Sequence, residues 1–253
     1  MAAAPFRLKD RLRTLPGFPV LRFAVRCVRG GQSRREALFE LLRPEGVFQP
    51  FATTAPNRYP GIFRFVRDTV GDGPDIRILS FGCASGEEVF SLRDYFASAA
   101  IVGIDANPFN IAACRRRARR KGMSDLVFRT ATVMDGEADA SYDAIFCMAV
   151  LRHGGLKATD TTCSHLIRFA EGERLLDSLA RCLKPGGLLA VMHSNFRICD
   201  TRTSRQFTPV LRVDPALLPA TPLFGPGDLR LDSDLYGEVV FRKDRAGGQP
   251  ASM

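Results

Sequence analysis

The chain has 253 residues, 45% of them hydrophobic, with a net charge of +9 and seven cysteines. That is ample material for one core, and no run reaches the ~18 apolar residues of a membrane span. The opening Met-Ala-Ala-Ala-Pro-Phe-Arg lacks a signal-peptide core, and the cysteines show no CxxC spacing. A cytoplasmic protein with reduced, buried thiols (Cys83 and Cys147 in apolar runs) and no metal site is therefore expected.

Residues 1–43 read as a basic helical segment, with ten Lys/Arg against three acids. Phe6, Leu8, Leu12, Leu15, Val20, Leu21, Phe23, Val25 and Val28 are interleaved with those cations. Such a stripe either caps a domain or lies on an anionic membrane surface. Capping is the commoner fate, and peripheral contact with the inner membrane surface stays open. A helix over 6–29 is expected, interrupted at Pro16-Gly17 and Pro19 and broken by Gly30-Gly31. Ser33-Arg-Arg-Glu36 reads as a capping box opening a second helix through Leu42.

A loop covers 44–58 and a helix 59–70; Gly71-Asp-Gly-Pro74 then turns the chain into a strand over 76–81. Gly82-Cys83-Ala84-Ser85-Gly86-Glu87-Glu88 follows, then a helix to about 97 and a second strand over 101–104 ending on Asp105. Pro108 suits the first turn of a helix that stops at Gly122, with Asn107 as its cap. Its basic run, 115–121, reads as a solvated face. A third strand spans 126–129, and 130–135 falls at the C-terminal edge of the sheet, where ligands of open α/β folds bind.

The fourth strand, 143–151, is nearly all apolar, as a central parallel strand should be, and ends at Arg152-His153. A loop long enough to be a lid, 154–170, leads to a helix over 171–183. The turn Lys184-Pro-Gly-Gly187, a fifth strand over 188–192 and His193-Ser194 come next. Strands over 207–213 and 236–241 flank a proline-rich loop, and 244–253 reads as a frayed tail. The expected fold is a Rossmann-like, mostly parallel α/β sheet over 44–243, with 1–43 as a short helical appendage.

The turn at 82–88 indicates which nucleotide fits. A dinucleotide fold wants three glycines and a helix N-terminus open to a pyrophosphate. Here two glycines stand four apart, and the helix opens with Glu87 and Glu88. Those carboxylates suit a positive helix end but would repel a phosphate placed there. An adenosine compound with a cationic end and no phosphate fits better, and S-adenosylmethionine has those features. Gly86 to Asp105 is 19 positions, about the crossover needed to bring a carboxylate beside a ribose.

Ser80-Phe-Gly-Cys-Ala-Ser-Gly-Glu-Glu88, Asp143-Ala-Ile-Phe-Cys147 and Leu183-Lys-Pro-Gly-Gly-Leu-Leu189 with His193-Ser194 also resemble a known family. They are similar to the cofactor-binding half of the bacterial chemoreceptor methyltransferases, within the class I S-adenosylmethionine-dependent methyltransferases. The resemblance covers roughly residues 50–200. It implies S-adenosylmethionine as cofactor, bound by Gly82, Cys83, Ser85, Gly86, Glu88, Asp105 and Met148. That family has a Thr-Ala-x-x-Arg segment touching the cofactor, and Thr54-Ala-Pro-Asn-Arg58 has its spacing. An arginine fork there suits the methionine carboxylate. Thr132 and Val133 match the family's adenine-contacting pair.

The departures matter as well. Met148-Ala149 stand where the family has Arg-Asn, its long insertion is missing, and its receptor-reading surface has no counterpart. Chemoreceptor glutamates are therefore not the expected substrate. The expectation is O- or N-methylation of a small or anionic acceptor, a glycan or a lipid-linked intermediate, with Arg152 placed to hold an anion. A nucleic-acid methyltransferase is the alternative, weakened because no aromatic stacking motif accompanies 115–121; a non-catalytic S-adenosylmethionine-binding protein is another. His153 matches a family tyrosine near the transferred methyl and is the candidate base. It equally suits orienting the substrate or bonding the lid. His193 reads as structural.

Overall fold

The computed structural model describes residues 18–42, 46–49 and 54–245. The chain divides into two compact units, Met1–Arg43 and Pro44–Met253. The helix expected over 6–17 and the tail beyond 245 lie outside the described residues.

In the first unit, Gly30 joins α1 (Phe18–Arg29) to α2 (Gly31–Leu42). Pro19 does not interrupt α1 as expected. It falls in the first turn, where an N–H would have no intrahelical partner. The Ser33 capping box does not open α2 either. Gly30 and Gly31 adopt positive φ, and the Arg34 N–H already donates back to the Gly30 carbonyl at 3.2 Å. Arg26 ties the hairpin, reaching Glu40 at 2.6 Å and Glu36 at 3.5 Å. The outer side of α1 leaves Val20, Leu21 and Val28 largely exposed.

The second unit begins with α3 (Pro60–Val70), then alternates β1 (Arg77–Phe81), α4 (Glu87–Tyr95), β2 (Ala100–Asp105), α5 (Pro108–Arg120) and β3 (Val127–Thr130). β4 (Tyr142–Met148), α6 (Phe169–Cys182), β5 (Leu183–Met192), β6 (Phe207–Arg212) and β7 (Glu238–Lys243) complete it. The sheet order is β3-β2-β1-β4-β5-β7-β6. The first five strands are parallel, and β7 runs antiparallel to both neighbours.

Strand alternation sets the layers. Ile78, Ile101, Ala144 and Phe146 pack with α3, α4 and α5 through Phe63, Val66, Val89, Leu92, Ile111 and Cys114. Leu79, Val102, Ile104, Ile145 and Val191 pack on the opposite face with Leu175, Leu176 and Leu179 of α6. Each buried Val, Leu, Ile or Phe among these contributes about 1.5–3 kcal/mol by leaving water. The chain steps outward from β1 in both directions, so the crevice between β1 and β4 is the switch point where open α/β sheets bind ligands.

Several boundaries differ from expectation. β4 ends at Met148, three residues early, because Ala149 turns to φ +59° and donates its N–H to the Met192 carbonyl at 2.8 Å. His153 therefore does not directly follow the strand; it sits on a short connection beyond it. The expected turn 184–187 is the irregular start of β5 instead, because Leu183 already pairs with Tyr142 across a register shift. Lys184 holds that end, its Nζ donating to both Asp143 oxygens at 2.8 and 2.9 Å. α6 starts at Phe169, whose N–H donates to Asp228 Oδ1 at 2.6 Å. The loop before it is pinned as well, Cys163 N–H to the Asp228 carbonyl at 3.0 Å.

The basic run on α5 is only partly a solvated face. Arg115 donates twice to the Phe128 carbonyl, at 2.6 and 3.1 Å, which fastens α5 to β3. Arg117 lies 4.2 Å over the Phe90 ring and pairs with Glu87. No helix among the described residues is long and apolar enough to cross a membrane.

Candidate active site

The turn after β1 is hooked to the end of β2 by its own backbone. Gly82 and Cys83 N–H both donate to the Ile104 carbonyl, at 2.7 and 2.9 Å, and Gly86 N–H donates to the Cys83 carbonyl at 2.8 Å. Ala84, at φ +48°, donates to Asp105 Oδ2 at 2.8 Å. The N–H groups of Gly82, Cys83, Ala84 and Gly86 are thus already occupied by the protein itself.

Gly82 and Gly86 both have positive φ, +75° and +86°. A Cβ on Gly82 would lie 2.3 Å from Val150 Cγ2, and one on Gly86 would lie 2.9 Å from Cys114 Sγ. The turn is therefore close-packed against α5 and the residues just beyond β4. Cys83 is 2% exposed, its thiol turned into the core beside Cys114. Its thiol is buried, as the sequence led us to expect. Ser85 is half-buried at the mouth of the turn.

The two acids of α4 divide as the helix geometry demands. Glu87 pairs with Arg117 and stabilises the first turn. Glu88 points inward and accepts from Ser80 Oγ at 2.7 Å. Burial pushes its carboxyl up to about 7, opposed by the Ser80 hydrogen bond and the nearby Arg58 guanidinium. A folded value above the ordinary 4.5 favours the protonated form. This group's contribution to stability is therefore fully present at low pH and falls as pH rises from about 4.5 to 7. Glu88→Gln should remove that slope, so urea unfolding should show the variant gaining on the parent by about 2–3 kcal/mol between pH 4.5 and 8. A constant difference across that range would mean that Arg58 holds Glu88 ionised throughout.

Asp105 closes the crevice. Besides Ala84, its Oδ1 accepts from Asn107 N–H at 2.9 Å and from Asn110 Nδ2 at 3.3 Å. Burial raises its pKa, and these hydrogen bonds oppose the rise. Asn107 caps α5 as expected, accepting from Phe109 N–H at 2.9 Å. Thr132 and Val133 follow β3 at the same edge, Thr132 half-buried and Val133 48% exposed.

On the other side, the Thr54–Arg58 segment is anchored to α4. Asn57 N–H donates to Ser91 Oγ and Asn57 Oδ1 accepts from Tyr95, each at 2.8 Å. This sets the Arg58 guanidinium 5.2 Å over the ring of Tyr59, the N-cap of α3. Thr54 is half-buried at the start of the segment. Met148 is 7% exposed and packs in the core with Tyr59 and Phe146, so it forms floor rather than edge.

Beyond β4, the His153 N–H donates to Asn195 Oδ1 at 2.8 Å, and His153 Nδ1 accepts from Gly155 N–H at 3.1 Å. Burial, then His165, lowers the His153 pKa below 6.5, so the ring is neutral at pH 7. His193, at φ +53°, ends β5 with its ring 5.7 Å from Tyr59. Burial, then Arg58 and Arg152, lowers its pKa to about 4. Ala84, Ala149 and His193 are thus all left-handed at the ends of β1, β4 and β5, a clustering of backbone strain typical of working sites. Sequence reasoning missed Tyr59, Ser80 and Asn195. Asn195 follows the His193-Ser194 motif directly, but no periodicity marks it as the post that fixes His153.

Buried donors, a close-packed turn and paired acids and arginines at the switch point fit an adenosine with a charged amino-acid tail. Residues 72–220 match the family model described as a methyltransferase domain. The chain is similar to the ubiquinone biosynthesis O-methyltransferase of Agrobacterium fabrum (strain C58), 28% identical over 178 residues, covering 67% of this chain and 70% of that protein. It is also similar to the trans-aconitate 2-methyltransferase of Methylobacterium nodulans, 31% identical over 115 residues, 46% of this chain and 37% of that protein. Among solved structures, geranyl diphosphate C-methyltransferase from Streptomyces coelicolor aligns at 18% identity and TM-score 0.45, over 61% of this chain and 60% of that one. The YcgJ protein from Bacillus subtilis aligns at 18% identity and TM-score 0.40, over 53% of this chain, which spans half (50%) of that structure. The chain belongs to the methyltransferase-domain family: it is an S-adenosylmethionine-dependent methyltransferase with a class I, Rossmann-like fold.

Proposed function

We propose that the enzyme methylates an oxygen or nitrogen of a small, anionic acceptor, using the cleft between β1 and β4. The observation that carries this reading is Asp105, held by three donors with lone-pair capacity left on Oδ2, beside a turn unsuited to phosphate. In this reading Asp105 receives the ribose, and Thr132 and Val133 flank the adenine. The backbone of Gly82, Cys83 and Gly86 with Ser85 lines the amino-acid tail, over Met148. Glu88 and Thr54 face its cationic end, and Arg58 its carboxylate.

The sulfonium supplies a methyl group already activated for in-line displacement. The protein's own part is then to hold the nucleophile in line at about 3–3.5 Å and to receive the proton of an O–H or N–H, at His153. The likeness to chemoreceptor methyltransferases belongs to the cofactor half alone. A glycan or lipid-linked acceptor is compatible with the same site, and exposed Val20, Leu21 and Val28 with Arg22 and Arg29 suit contact with an anionic membrane.

Asp105→Ala tests the reading. S-adenosylmethionine affinity, measured by calorimetry, should weaken by about 1.5–3 kcal/mol, the range for hydrogen bonds to a charged group. Melting of the unliganded variant serves as the check on its fold. Unchanged affinity would remove the ribose role.

A further inference from the structure

Two buried polar atoms at the C-terminal edge of the sheet lack partners among the described residues: the Tyr59 hydroxyl and Arg152 Nε. Tyr59 is 8% exposed, and its ring is fixed between Phe63 at 6.2 Å and His193 at 5.7 Å. A buried hydroxyl or guanidinium N–H without a partner is costly, so an orphan at a cleft points to a ligand contact. Arginine Nε–H can only donate. The missing group must therefore present a hydrogen-bond acceptor, and the phenol can donate to the same group.

Charge points the same way. Around the cleft, Arg58 and Arg152 face Asp105 and a Glu88 that burial holds partly protonated, while His193 is neutral. The cofactor, with a sulfonium, an ammonium and a carboxylate, adds one net positive charge. An acceptor carrying negative charge offsets that positive excess, and in a low-dielectric cleft that match matters more than in water. Position separates the two arginines. Arg58 lies on the α3 side near Glu88, whereas Arg152 lies on the β4 side, next in sequence to His153.

Building on the proposed function, we infer that the acceptor carries a carboxylate seated between Arg152 Nε and the Tyr59 hydroxyl, and that Arg152 selects for it. The carboxylate is not the methylated atom. It anchors a hydroxyl or amine elsewhere on the acceptor in front of His153. That atom takes the methyl as the carbon–sulfur bond breaks, sulfur keeps the electron pair, and the proton leaves to His153.

The test uses the full chain saturated with S-adenosylhomocysteine and two isosteric probes, benzoate and benzamide, followed by ligand-observed NMR titration. Benzoate should bind at least tenfold tighter than benzamide. Tyr59→Phe, which keeps the ring contacts, should lower benzoate affinity severalfold, and Arg152→Ala should erase the preference. Both variants should bind S-adenosylhomocysteine within threefold of the parent. Equal binding of the two probes by the parent overturns the inference. A tenfold loss of S-adenosylhomocysteine in Arg152→Ala also overturns it, because Arg152 would then hold the cofactor's own carboxylate while the methyltransferase reading stood. Failure of the parent to bind S-adenosylhomocysteine at all would remove the functional reading itself.

Discussion

Replacing His153 with asparagine should slow methyl transfer about 10²–10⁴-fold, the usual worth of a positioned base, with S-adenosylhomocysteine affinity unchanged. Asparagine is the informative choice because of the bond from Gly155 N–H to His153 Nδ1 at 3.1 Å. An Asn oxygen can accept that bond and keep the loop in place, but it cannot take up a proton near neutral pH. While Nδ1 accepts from Gly155, the neutral ring carries its proton on Nε2. A base role at Nδ1 would require His153 to release Gly155 first, which would couple loop movement to proton transfer.

The pH profile adds a second readout. A base with a lowered pKa is active above that value and is lost as pH falls through it. The parent rate should therefore be flat above about pH 6.5 and decline below, whereas the variant's should not change there. Single-turnover transfer from labelled cofactor into the small-molecule fraction of a cell extract measures both. An asparagine variant within threefold of the parent would make His153 a loop latch.

Gly82→Ala is the second large effect. Alanine at φ +75° costs about 1–2 kcal/mol in backbone strain. Its Cβ would also meet Val150 Cγ2 at 2.3 Å, and a β-branched valine has little χ1 freedom with which to give way. Together these should cost about 3 kcal/mol in denaturant unfolding. Val150→Ala in the same chain should return the steric part and leave the backbone part, so a double-mutant cycle separates them. A loss below about 1 kcal/mol would show that the turn shifts freely, and the site built on it would lose its rigid floor.

Much of the fold was legible because local rules and global packing agree. The run 77–81, the glycine turn and the acid ending β2 read as one unit, because a parallel strand buried on both faces leaves a continuous apolar signature. Asn107 and Pro108 announced α5 through capping chemistry alone. Boundaries failed where a backbone partner distant in sequence intervened. Met192 ends β4 early by receiving Ala149, Tyr142 draws Leu183 into β5, and Asp228 starts α6 at Phe169.

By itself, the sequence determined the α/β class, the order of elements, the switch-point motif and the preference for a cationic, phosphate-free adenosine cofactor. Those follow from periodicity, turn residues and the signs of nearby charges, all local properties of the chain. Only the tertiary structure decided that Met148 turns into the core, that Glu87 and Glu88 part company, and that Tyr59, Arg152 and His193 meet at one edge. Burial, hydrogen-bond satisfaction and shifted pKa values depend on neighbours dozens of residues away, which no local pattern encodes.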